Sequence, residues 1–195
     1  DNGVPGLRVG ASFYYCANTA ANSDKLVEYS FRAPLRIYTV DAQYKNSVVT
    51  ARANFMWGSL TNSDRVSSVN TKLSNQSPYT RVVPVAHKAV SYGAEVGLNL
   101  AGIFRGANVP AIYPFARYDY YNPQKQCEGL YIEDHRCEVS KWTAGVNWYA
   151  LPNLVIKADY STRQIGTSKM FGKGKYNSEN EFSIGVAYVG WFTKR

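Results

Sequence analysis

Three cysteines and two histidines are the residues in this chain most able to do chemistry, and their spacing limits what they can do. Cys127 and Cys137 bracket a short polar stretch, CEGLYIEDHRC. In an oxidising compartment that spacing predicts a small loop disulfide, with Cys16 left over. His87 and His135 complete no tetrahedral ligand set with these thiols, so no metal site is expected. His135 stands beside Glu133 and Asp134 with no obvious nucleophile. A catalytic role is therefore not expected, nor is a cofactor.

The remaining ionisable side chains must be positioned by the elements that carry them. The chain has 195 residues, 22 basic and 14 acidic, and a net charge of +8. A basic balance raises nucleic acid as a partner. The Lys and Arg, however, are spread one or two per segment, so no nucleic acid partner is expected. No run of about 18 apolar residues is present, so no membrane-crossing helix is available. The opening DNGVPGLRVG lacks the basic and apolar regions of a signal peptide. Helical periodicity is hard to find, whereas strict apolar/polar alternation, the mark of a strand with one wet and one dry face, occurs eight times.

These segments are residues 7–16, 37–45, 48–58, 90–100, 111–121, 141–150, 154–163 and 182–192. Pro114 predicts a bulge or a gap in pairing in the fifth. The connections alternate in length. Residues 17–36, 59–89, 122–140 and 164–181 are long and polar, Lys45-Asn46-Ser47 and Leu151-Pro152-Asn153 are tight turns, and 101–110 is intermediate. Transmembrane β-barrels have this asymmetry, short turns on one side and long loops on the other.

With that topology the aromatics sort to the strand ends. Tyr15, Tyr38, Trp57, Tyr92, Tyr120, Trp142, Tyr160 and Phe182 fall near the loop side of the apolar face; Tyr44, Trp148, Tyr188 and Phe192 fall near the turn side. Rings with an apolar body and a polar tip settle at a membrane–water boundary. The opposite face carries Arg8, Asp41, Lys45, Arg52, Glu95, Arg117, Asp119, Lys141, Lys157, Asp159 and Arg163. Unpaired charges would be costly in a small closed core but are natural against a wet lumen. The expectation is an all-β antiparallel transmembrane barrel, a single domain over 1–195, in contact with outer-membrane lipid. Seven cations against four carboxylates predict a weak anion preference.

Eight tilted strands can close into a narrow filled barrel, whereas a water channel needs about sixteen or more. Pro5-Gly6-Leu7 echoes Pro152-Asn153-Leu154, so residues 1–6 read as a turn with a strand before it. The lumen-facing set is rich in Gly and small polar residues, too slight to plug an eight-strand core. This favours the C-terminal portion of a larger barrel. The alternative is a small closed eight-strand barrel with a structural or adhesion role through its loops, where Tyr29, Tyr79 and Tyr131 lie.

The motifs PGLRVGASFYY, QYKNSVVTARANFMWG, AVSYGAEVGLNL, YPFARYDYYNP, WTAGVNWYALPNLVIKADYSTRQIG and KYNSENEFSIGVAYVGWF, in this order, resemble the C-terminal part of outer-membrane porins related to the phosphate-selective porin O and P family. The resemblance implies a sixteen- to eighteen-strand porin of a Gram-negative bacterium, usually a homotrimer, passing small polar solutes or ions. The stretch Ser183-Ile184-Gly185-Val186-Ala187-Tyr188 resembles the polar-x-Gly-x-x-aromatic signal read by the barrel assembly machinery, although Thr193-Lys194-Arg195 follow Phe192 where family chains end on the aromatic. Asp41, Glu95, Asp119 and Asp159 interrupt the basic series, so the family's phosphate selectivity does not carry over.

Overall fold

A computed structural model describes residues 4–19, 31–74, 84–104, 111–167 and 176–188. Eight strands follow one another: β1 (Leu7–Cys16), β2 (Leu35–Lys45), β3 (Val49–Leu60), β4 (Lys88–Leu98), β5 (Ala111–Gln126), β6 (Val139–Leu151), β7 (Leu154–Gly166) and β8 (Tyr176–Tyr188). They form one antiparallel sheet in sequence order. The all-β antiparallel expectation holds. The sheet is open: among the described residues β1 and β8 each have one strand neighbour.

Register explains how the faces sort. Leu7, Val9, Ala11, Phe13 and Tyr15 stand opposite Tyr44, Ala42, Val40, Tyr38 and Arg36. Those β2 residues in turn oppose Ala51, Ala53, Phe55, Trp57 and Ser59. Because side chains alternate with period 2, matched registers carry one apolar face across every strand. That face is uncovered: Val9 is 56% exposed, Trp142 62% and Ile184 68%. A contiguous exposed apolar face of this extent marks an interaction surface.

Tight turns hold the register at one end. Asn46 bends β2 into β3, its Oδ1 accepting from the backbone N–H groups of Val48 (2.8 Å) and Val49 (2.6 Å). Ahead of β1, Gly6 has φ +84° and accepts the Lys45 N–H through its carbonyl at 2.9 Å. A Cβ on Gly6 would fall on the Lys45 carbonyl, so only glycine permits this turn. A short helix, α2 (Leu100–Ile103), follows β4 at the same end.

The buried core lies at the other end. Phe31, Ala33 and Val69 form it, with Leu60 and Val66 packed against them. Val66 and Val69 belong to α1 (Ser63–Ser74), a helix that the sequence reading leaves as loop. Its two valines find an apolar partner only because the β1–β2 connection delivers Phe31 and Ala33 beside them. Strand limits also differ from expectation at this end. β5 continues to Gln126, and β8 begins at Tyr176. The polar runs NPQKQ and YNSENE show no apolar alternation, and cross-strand pairing extends them instead. Pro114 makes no bulge: the β5–β6 register passes straight through Pro114↔Val146. The gap falls on its other side, where β4–β5 pairing stops at Gly97↔Phe115.

Candidate functional site: a charged sheet face

One face of the sheet gathers every charged residue that alternation assigned to it. Arg8 on β1 and Asp41 and Lys45 on β2 share it with Arg52 on β3 and Glu95 on β4. Arg117 and Asp119 on β5, Lys141 on β6, and Lys157, Asp159 and Arg163 on β7 continue it. Asp41, Arg52, Glu95, Arg117 and Asp119 line one shallow concavity; Lys141, Lys157 and Asp159 extend it across β6 and β7.

Four of the seven cations are paired. Arg52 donates to Glu95 across β3–β4 at 2.7 Å. Arg117 grips Asp119 on its own strand through two bonds, 2.6 and 2.9 Å, a forked geometry suited to a planar guanidinium. Lys141 reaches Glu181 at 3.3 Å and Arg163 reaches Glu179 at 2.6 Å. Glu179 and Glu181 were missed as site residues, because the apolar alternation of the last segment begins only at Phe182. Pairing β8 with β7 places Glu179 opposite Arg163. Arg8, Lys45 and Lys157 make no ion pair among the described residues. With Lys125 at the loop end of β5 counted, eight cations face six carboxylates, a smaller surplus than the sequence predicts.

Three carboxylates stand opposite glycine: Asp41 faces Gly10, Asp119 faces Gly93 and Asp159 faces Gly145. A Cβ on Gly145 would lie 2.6 Å from Asp159 Cβ and 2.7 Å from the Ala158 carbonyl, a clash with atoms that cannot swing away. Glycine here keeps space for the acidic side chains and thins the wall.

While Tyr14, Tyr113, Phe115, Tyr121 and Tyr149 share the charged face, the opposite face carries most of the aromatics. Tyr92 stacks on Tyr120 (centroids 4.8 Å), and Phe13 lies tilted against Tyr38 (4.9 Å) as Tyr118 does against Trp142 (4.6 Å). Tyr15, Trp57, Tyr160 and Phe182 lie on this face toward the loop end, and Tyr44, Trp148 and Tyr188 toward the turn end. Phe192 lies outside the described residues, as do Tyr29 and Tyr79.

The loop end is cross-tied by polar contacts. The Glu128 carboxylate accepts from the Ser63 backbone N–H (2.7 Å) and hydroxyl (3.0 Å) at the start of α1, and stands 3.1 Å from His87 Nδ1. A carboxylate at a helix N-terminus satisfies orphan donors and meets the positive end of the dipole. Ser63 is wholly buried and its hydroxyl is directed at Glu128, so the grouping is a brace between two connections. His135 lies 3.6 Å from Glu138.

Cys127 and Cys137 form no disulfide, contrary to the sequence expectation. Their loop is held by polar bonds instead: Glu133 accepts the Cys127 N–H at 3.3 Å, and Gln124 accepts the Asp134 N–H at 3.0 Å. A three-residue helical turn, His135–Cys137, is then capped by Asp134. Burial, helped by the Asp134 charge, pushes the Cys137 thiol above its ordinary range. Alkylation follows the thiolate, and a raised thiol remains neutral to higher pH. Iodoacetamide labelling of Cys137 is therefore expected to be slow at pH 7, with its rate-versus-pH midpoint above that of an exposed cysteine. Mass mapping of the labelled peptide checks this; a midpoint at or below the ordinary value would contradict it.

No helix of the described residues is long and apolar enough to cross a membrane. No curated protein and no solved structure matches the chain. The family model for phosphate-selective porin O and P matches residues 111–189, the stretch containing β5 to β8, which bears out the resemblance read from the motifs there and supports a porin-type outer-membrane channel.

Proposed function

We propose that the chain forms part of the wall of an outer-membrane diffusion channel of a Gram-negative bacterium, with its charged face on a water-filled lumen and its apolar face in lipid. The observation that carries this reading is the sorting of the sheet. Ionised side chains from all eight strands meet on one side, and most of the exposed Val, Ile, Phe, Tyr and Trp occupy the other. A lipid-exposed sheet edge leaves backbone groups unsatisfied, so the edges of β1 and β8 must be paired in a membrane, and their separation in this open sheet favours pairing with further strands. That supports a barrel larger than eight strands, and with it a lumen wide enough for water. Assembly as a homotrimer, after insertion by the barrel assembly machinery, belongs to the same proposal.

Small polar solutes and ions are the proposed cargo. The paired residues brace the wall, since exposed ion pairs contribute only about 0–1 kcal/mol each and leave little net field. Selectivity then rests on Arg8, Lys45 and Lys157 against Asp41 and Asp159, a weak anion preference. Reconstitution of the full-length protein in a planar bilayer under a salt gradient tests this. Stable conductance steps with a reversal potential toward the anion are expected. An absence of conductance would sink the channel, and a cation-directed potential would sink the preference alone.

A further inference from the structure

Just two charged side chains lie on the apolar face of the described strands, and both lie at its loop-side rim. Arg36 on β2 and Lys88 on β4 flank Ser59 on β3, through the register pairs Arg36↔Ser59 and Ser59↔Lys88. Adjacent strands are about 4.8 Å apart, so the backbones of the two residues stand roughly 10 Å from each other on one row. Each lies over an aromatic ring of the same face. The Arg36 guanidinium is 5.8 Å from the Tyr15 ring centroid, and the Lys88 ammonium is 5.9 Å from that of Trp57. Both distances fall within cation–π range. Neither cation makes an ion pair with any described residue, unlike Arg52, Arg117, Lys141 and Arg163 across the sheet.

A cation on a lipid-facing surface is costly at mid-membrane and tolerated at the rim, where the long side chain reaches the headgroups. Here two sit on the same row with a hydroxyl between them. We propose that Arg36, Ser59 and Lys88 form a headgroup site for a phosphate-bearing lipid of the leaflet on the loop side. The phosphate would sit over Ser59, with a cation on either side and Tyr15 and Trp57 lying against the upper acyl region. Charge complementarity selects this occupant: the patch is basic, it borders the apolar face, and it lies outside the proposed lumen. The inference rests on the membrane orientation proposed above.

The test uses full-length protein in nanodiscs of phosphatidylcholine doped with phosphatidylglycerol, followed by native mass spectrometry of the lipid retained after detergent release. Each rim cation near an anionic surface contributes about a fivefold preference. R36Q or K88Q is expected to lower phosphatidylglycerol retention about fivefold, and the double variant about 25-fold. K125Q makes the same charge change on the opposite face at the loop end and should leave retention unaltered. Far-UV circular dichroism checks that all variants keep their strand content. Retention unchanged in the double variant would overturn the site, and so would displacement of the lipid by excess inorganic phosphate, which would mark a soluble-anion site. A protein that enters no nanodisc and stays in solution without detergent would overturn the membrane reading as well.

Discussion

Val40→Arg is expected to destabilise the folded protein in the membrane by about 2–4 kcal/mol, whereas Asn54→Arg is expected to be tolerated. Val40 lies mid-strand on β2, between Ala11 and Phe55, and is 47% exposed. If that exposure is to lipid, an arginine there places a guanidinium near the bilayer midplane with no partner in reach. Asn54 is its counterpart on the charged face, paired with Asp41 across β2–β3 and beside Gly93. An arginine at 54 meets water and a carboxylate. Denaturant titration of the protein in bilayers, with heat-modifiable gel mobility as a second readout, compares the two. Equal effects would mean that the faces do not differ in solvent. A larger loss at 54 would mean that the assignment of lumen and lipid is inverted.

Lys45→Glu combined with Lys157→Glu is expected to reverse the ion preference. The charged face has a surplus of two cations when Lys125, Glu179 and Glu181 are counted with the residues visible by alternation. Two reversals turn it into a deficit of two. A unit charge about 10 Å from a permeating ion in water contributes about 0.4 kcal/mol, so a change of four units disfavours the anion and favours the cation by about 1.6 kcal/mol each and shifts the anion-to-cation permeability ratio roughly 200-fold. The effect should fade as ionic strength rises, because screening shortens its reach. Both lysines lack an ion pair among the described residues, so the substitutions strand no buried carboxylate. Reversal potentials measured at low and high salt provide the check. A ratio that does not move at low salt would mean that Lys45 and Lys157 do not border the conduction path.

Alternation within each strand was legible without coordinates because it is local. A period of 2 in ten residues decides which side chains share a face, whatever the neighbouring strands are. The charged set from Arg8 to Arg163, the turns at Asn46 and Pro152-Asn153, and the long connections all follow from such short-range patterns. The family match over residues 111–189 falls where the quoted motifs are longest.

Only the tertiary structure decided what depends on distant pairing. The polar start of β8 is extended by β7, so Glu179 and Glu181 emerge as partners of Arg163 and Lys141 only once that register exists. The same holds for α1, whose valines gain an apolar environment from Phe31 and Ala33 of another connection. The Cys127–Cys137 spacing permitted a bridge, yet Gln124, Glu133 and Asp134 close that loop by hydrogen bonds. The row of Arg36, Ser59 and Lys88 likewise joins three strands through register alone. A sequence determines alternation because backbone geometry imposes it residue by residue. Which charges meet is a property of strand register, and register is settled by the sheet as a whole.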